Sequence, residues 1–262
     1  MKTALTIAGS DSCGGAGIQV DLRVFAMMGV HGASAITAIT AQNTLGVRDA
    51  MLLPPALVAN QIDTVAVDLD IHATKTGMLG DAAIIAAVAD AVARNELRPL
   101  VCDPVMVAKS GDPLLRDDAV ESMKKLLFPL ATIVTPNRRE AAALIGADPA
   151  SLTTVAAAGD AARRIAAMGA SAVVVKAIEA GGRMVDVLFD GRDCVEIAGP
   201  LQPAGRNHGS GCAFAAAIAA ALALGRPLAD AVSHAKQLVN RAIERAQPLG
   251  HGTLPVNVLG AC

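Results

Sequence analysis

Tryptophan and tyrosine are missing from this chain of 262 residues, and phenylalanine occurs only four times. So few rings leave no platform on which nucleic-acid bases could stack. Runs of Lys or Arg are missing too, and the formal net charge is −2. Neither nucleic acid nor an anionic membrane surface is an expected partner. The five cysteines, Cys13, Cys102, Cys194, Cys212 and Cys262, form no CxxC pair. That excludes the usual zinc spacings, speaks against a disulfide framework and points to a reducing, cytoplasmic location. No Gly-Lys pair exists, so there is no P-loop, and no GxGxxG follows the first apolar run. The opening "MKTALTIAGSDSCGG" has an apolar run too short for a signal peptide. His31, His72, His208, His234 and His251 show no metal-ligand spacing; His208 stands out only by its position in a Gly-rich motif.

What the chain does have is hydrophobic residues, 53% of the total, in an alternating pattern. Short β-rich runs read as buried strands: "ALTIAG", "SAITAIT", "HATKTG", "PLVCDPV", "TIVTPN", "SAVVVK" and "MVDVLFD". Helical segments of 8 to 14 residues lie between most of them, at 15–28, 55–68, 81–94, 117–128, 138–145 and 155–168, with two more at 211–224 and 227–245. Continuously apolar strands alternating with helices predict a three-layer α/β/α sandwich with a mostly parallel central sheet. "RMVDVLFDGRDCVEI" breaks the rhythm and reads as an antiparallel hairpin turning at Asp190–Gly191. No linker or repeat interrupts residues 1–262, so one domain is expected, long enough to bury a sizeable core.

In an open α/β sheet, ligands bind beyond the carboxyl ends of the strands. The segments found there are "AGSDSCGGAGIQVD", "TAQNT", "KTGML", "CDPVMVAKSGD" and "TPNRRE". Each alone is an ordinary turn; together they would meet at one edge of one sheet. "NHGSGCAFAAAIAAALALG", residues 207–225, is uncharged and long enough to raise the question of a membrane span. Its first residues are polar or helix-breaking, and the apolar remainder has the length of a buried core helix, so no membrane helix is expected. Gly209, Ser210 and Gly211 bring bare backbone to the positive end of that helix, which suits an anion such as phosphate. The same position would favour Cys212 as a thiolate at neutral pH. Asp103 and Glu140 are carboxylates at adjacent strand ends, where Mg²⁺ beside phosphates is one use. Asn137 and Glu140, three apart, are equally compatible with a helix cap.

"LTIAGSDSCGGAGIQVDL", "TAQNTLGV", "KTGMLGD", "DPVMVAKSGDPLL", "VTPNRREA" and "HGSGCAF" occur in order, and as a set they resemble the hydroxymethylpyrimidine and hydroxymethylpyrimidine-phosphate kinases of thiamine biosynthesis, within the ribokinase-like superfamily. The resemblance is dense from Thr3 to Ile145 and thinner beyond. It implies phosphoryl transfer from ATP, with Mg²⁺, to the hydroxymethyl group of a small pyrimidine and then to its monophosphate, in a homodimeric enzyme. By motif, Gln42 would hydrogen-bond the pyrimidine, and Asp21, Met78 and Val105 would line the ring pocket. Gly209, Ser210 and Gly211 would form the anion hole, with Cys212 where most of the superfamily has an Asp base. Asp103, Asn137 and Glu140 would lie near Mg²⁺ and the ATP phosphates, and Lys176 near the nucleotide. Two departures fall on the nucleotide side: "KAIEAGG" stands where the family has Lys-Gly-Gly-His, and Ala213 replaces a Thr after the anion hole. A pyridoxal or pyridoxine kinase of the same superfamily, or a pyrimidine-binding protein without turnover, are the alternative readings.

Overall fold

The computed structural model describes residues 1–106, 117–203 and 205–261. The last nine residues of "DPVMVAKSGDPLL" and Cys262 therefore lie outside the described residues. Nine strands form one sheet: β1 (Thr3–Asp11), β2 (His31–Gln42), β3 (Val47–Leu52), β4 (Ala73–Thr76), β5 (Leu100–Cys102), β6 (Ile133–Val134), β7 (Val173–Ala180), β8 (Arg183–Phe189) and β9 (Cys194–Pro200). Their order across the sheet is β3-β2-β1-β4-β5-β6-β7-β8-β9. The strands from β2 through β7 pair in parallel, while β3 at one edge, and β8 and β9 at the other, pair antiparallel.

The apolar runs explain the layers. In β5, Leu100 and Cys102 enter one core while Val101 enters the other, because side chains alternate across a strand. The first core packs under α2 (Pro55–Ala66), α3 (Ala82–Arg94), α4 (Asp117–Ser122), α5 (Arg138–Ile145) and α6 (Val155–Ala166). The second packs under α1 (Gly17–Met27), α7 (Ser210–Ala223) and α8 (Leu228–Glu244). These are the three expected layers, and the parallel strands are buried on both faces.

Local signals set the helix ends. Asp81 caps α3 by accepting from the Ile84 N–H at 2.8 Å, and Thr154 caps α6 through the Ala157 N–H at 3.1 Å. Gly146, in the left-handed region, stops α5. Three details differ from the sequence reading. Strand β3, "VRDAML", was not anticipated; it is an edge strand exposed along most of its length, so no apolar alternation marks it. The helix expected at 117–128 is α-helical only to Ser122, then runs through a π turn over Met123–Leu127 and a 3₁₀ turn over Phe128–Leu130. Strand β7 continues past Lys176 to Ala180 through a bulge. Among the described residues no helix is long and apolar enough to cross a membrane; α7, apolar on every side, is a core helix.

Candidate active site

Strand order reverses between β1 and β4, β1 leading outward to β2 and β4 onward to β5. That switch point is where an open α/β sheet leaves a crevice. Here a cleft of about 270 Å³ runs along the carboxyl edge. Its lining includes Gln42, Met78 and Val105, Lys75, Asp103, Lys176 and the start of α7, and Met184, Gln202, Asn240 and Ile243.

Two loops lock together to shape its middle. The Asp11 carboxylate accepts from the backbone N–H of Cys13 at 2.8 Å, Gly15 at 3.1 Å and Ala16 at 2.9 Å, and it meets His208 Nε2 at 3.1 Å. Burial opposes its charge, but the bonds from His208 and the loop amides outweigh burial and hold Asp11 below the usual carboxylate range. One residue on, Gly209 has φ +77°, and a Cβ there would stand 1.9 Å from the Gly15 carbonyl oxygen. Only glycine fits both the backbone angle and the approach. The chain then enters α7, whose first N–H groups have no partner within the helix. Gly211 leaves room beside them: a Cβ there would lie 3.6 Å from Lys176 Nζ and 3.7 Å from Asp103 Oδ2.

The floor is charged and buried. Lys75 Nζ bonds Asp21 Oδ2 at 2.7 Å, both side chains fully buried, and Thr6 donates to the same oxygen at 2.6 Å. Burial disfavours the Lys75 charge, yet Asp21 and its neighbours overcome it and keep the ammonium protonated. Removing one partner of such a pair costs about 3–5 kcal/mol. Asp21 therefore does not line the ring pocket as expected. It lies beneath, and Lys75 is the residue that reaches the cleft.

Along the wall, Asp103 Oδ1 accepts from the Thr135 hydroxyl at 2.8 Å and from Lys176 Nζ at 3.1 Å. Burial works against the Lys176 charge, but Asp103, Glu140 and Asp186 prevail and raise its pKa. Asn137 and Glu140 form a full capping box at the start of α5: Asn137 Oδ1 accepts from the Glu140 N–H at 3.0 Å, and Glu140 Oε2 accepts from the Asn137 N–H at 2.7 Å. The cap is thus present, and both residues also line the cleft. Among the described residues no group of three or more His, Cys, Asp or Glu side chains is placed to hold a metal ion. What fits Mg²⁺ is narrower, since it commonly binds through one or two carboxylates plus substrate phosphates: Asp103, whose Oδ2 faces Gly211, and the nearby Glu140.

The thiol of Cys212 overturns one expectation. Burial, the largest influence, pushes it up to about 11, more than Lys75 and a backbone hydrogen bond bring it down. Desolvation outweighs the helix end, so the neutral thiol is favoured over the thiolate.

The structure brings Gln42, Met78, Val105, Asp103, Asn137, Glu140, Lys176, Gly209, Ser210, Gly211 and Cys212 to one cleft. It also places there His208, which stood out by position, and residues that sequence reasoning passed over: Lys75, Asp11, Asp186 and Lys236. The signal for Lys75 was present, the one charged residue in the short strand "ATKT".

The family model for phosphomethylpyrimidine kinase matches residues 11–257. The hydroxymethylpyrimidine/phosphomethylpyrimidine kinase of Rhizobium meliloti is 48% identical, over 97% of this chain and 96% of its own length. The thiamine biosynthesis bifunctional protein of Geobacter sulfurreducens is 46% identical over 97% of this chain, which spans only 52% of that longer protein. Among solved structures, Bacillus subtilis pyridoxal kinase in an ADP complex superposes with a TM-score of 0.90 at 36% identity, covering 99% of this chain and 98% of that one.

Proposed function

This chain belongs to the phosphomethylpyrimidine kinase family, and we propose from that premise that it transfers the γ-phosphoryl group of ATP to hydroxymethylpyrimidine, to its monophosphate, or to both. The kinase family and the ribokinase-like fold make it a phosphotransferase. The observation that carries the substrate reading is that one cleft is lined both by a carboxamide and two apolar side chains, Gln42, Met78 and Val105, and by the cations Lys75 and Lys176 with the amide-rich start of α7.

Phosphoryl transfer asks the protein mainly for positioning and charge neutralisation. In this reading Gln42 pairs with the pyrimidine edge, where a carboxamide can donate to a ring nitrogen and accept from an amino group at once. Met78 and Val105 hold the ring. The amides of Gly209, Ser210 and Gly211 receive the migrating phosphoryl group, and Lys176 and Asn137 hold the nucleotide phosphates. The thiolate form of Cys212, a minor fraction at neutral pH, takes the proton from the attacking hydroxyl and becomes the thiol. Mg²⁺ carried with the nucleotide would be held by Asp103 and Glu140 and would neutralise phosphate charge. A cytoplasmic setting suits Cys13, Cys102, Cys194 and Cys212, all unpaired thiols.

The deciding experiment is a panel of hydroxymethylpyrimidine, its phosphate and pyridoxal assayed for ADP release. Turnover on either pyrimidine supports the proposal, and turnover on pyridoxal alone overturns it. The likeness to a pyridoxal kinase keeps that second reading in the panel. Replacing Gln42 with Leu should raise the KM for the pyrimidine by the equivalent of roughly 1–3 kcal/mol, the cost of unpaired polar groups in a dry pocket, while the KM for ATP hardly moves. Glu140→Gln keeps an oxygen for the Asn137 N–H, so the melting temperature should stay nearly constant. Activity should fall and the Mg²⁺ requirement shift; a drop in melting temperature with unchanged kinetics would assign Glu140 to the cap alone.

We also propose a homodimer. Ile39 on β2 and Met51 on β3 are register partners, both exposed on one face of the sheet edge. Light scattering of the purified chain tests it, a monomer at all concentrations being the contrary result.

A further inference from the structure

Ala177 is one of two non-glycine residues with positive φ among the described residues; its φ is +65°. It sits in a β-bulge. Val175 pairs with Val187 and Ile178 with Val185, so Lys176 and Ala177 together oppose the single residue Asp186. Bulges of this kind re-aim a side chain and are at home near active sites. Here the bulged strand turns Lys176 toward Asp103, 3.1 Å away, while its backbone N–H still bonds the Pro136 carbonyl at 2.9 Å.

An alanine in the left-handed region is unfavourable, and something must hold it there. The holder is visible. The Ala177 N–H, which has no ladder partner in the bulge, donates to Asp186 Oδ1 at 2.9 Å. Lys236 of α8 bonds that same oxygen at 2.9 Å. Asp186 and Lys236 are both buried, and the whole chain of contacts lines the nucleotide side of the cleft.

We propose that the buried Asp186–Lys236 pair is a positioning device, which clamps the left-handed backbone of Ala177 and thereby sets the aim of Lys176 at the nucleotide phosphates. The inference rests on the kinase reading for what Lys176 meets, but the clamp itself is a matter of backbone and ion pair. Asp186 and Lys236 are positioning residues; neither needs to touch the nucleotide.

The test compares Lys236→Met, Ala177→Gly and the double variant by ADP calorimetry, by kcat and KM for ATP and for hydroxymethylpyrimidine, and by melting temperature. Met keeps the length of the lysine stem and removes the charge that steadies Asp186. The single Lys236→Met change should weaken ADP and raise the KM for ATP about tenfold or more, since misplacement by an ångström costs up to about 10²-fold, with the pyrimidine KM moving much less. Ala177→Gly should raise the melting temperature, because glycine adopts φ +65° without strain. In the double variant glycine holds the bulge unaided, so most of the lost nucleotide affinity should return.

A double variant no better at binding ADP than Lys236→Met overturns the proposal, as does a Lys236→Met protein that loses melting temperature while keeping its ADP affinity. If Lys236→Met does not fold, Asp186→Asn takes its place, since it retains an oxygen for the Ala177 N–H and unpairs Lys236. Absence of any turnover on the pyrimidines by the unaltered chain would sink the kinase reading and still leave the ADP comparison to decide the clamp.

Discussion

Cys212→Ala should slow turnover by about 10²–10⁴-fold, the usual share of a general base, with little change in either KM. The side chain stands at the first turn of α7, in the cleft. Because burial pushes the thiol up to about 11, only a small fraction is thiolate at pH 7, and that fraction grows as pH rises. Turnover of the unaltered chain should therefore climb between neutral pH and about pH 9. Cys212→Asp should recover part of the rate lost in the alanine variant, and its rate should be flat over that range because a carboxylate has already ionised. Alkylation gives a further check. A neutral, half-buried Cys212 should react more slowly in the free protein than exposed Cys13. If alanine at position 212 turns over as fast as cysteine, the thiol is no base, and the amides alone carry the chemistry.

Gly209→Ala should be at least as damaging, for a steric reason. The added Cβ would stand 1.9 Å from the Gly15 oxygen, 3.0 Å from its carbonyl carbon and 3.3 Å from Ala16 Cα. All three are backbone atoms, so no side chain can swing aside. Either the β1–α1 loop or the start of α7 must move, and a shift near 1 Å at a phosphoryl site costs about 10²-fold in rate. Gly225, at the other end of α7, has φ +80° and open space around its Cβ position. Gly225→Ala should lose only the conformational term, about 1–2 kcal/mol, and keep its kinetics. Equal kinetic losses in both variants would mean that backbone angle rather than loop contact governs the site.

The legible part of this molecule was whatever depends on local pattern. Apolar runs announced β1, β2 and β4 to β8, the hairpin pattern added β9, and Gly-rich or polar strand ends announced the edge where the cleft lies. Strand β3 was illegible because charged Arg48 and Asp49 sit on an exposed edge whose burial follows no alternation. The charged interior escaped for a different reason. Lys75 finds its partner Asp21 across 54 positions of chain, and nothing near either residue forecasts the pairing. Lys236 and Asp186 meet in the same way, from a helix and a strand. Cys212 does line the cleft, but burial there pushes its thiol up where the helix end was expected to bring it down, since a helix end is visible in sequence and the depth of burial around it is not.

The composition of α7 has one more consequence. Of its ten buried residues, eight are alanines. A long apolar side chain loses rotamer freedom when buried, and alanine has none to lose. Packing this helix against α1, α8 and the sheet therefore costs almost no side-chain entropy. It also leaves the helix without side chains that could hop between rotamers to absorb a displacement. The amides at its start are fixed by a rod with few internal degrees of freedom, so thermal motion of the surrounding core reaches them mainly as movement of the whole helix.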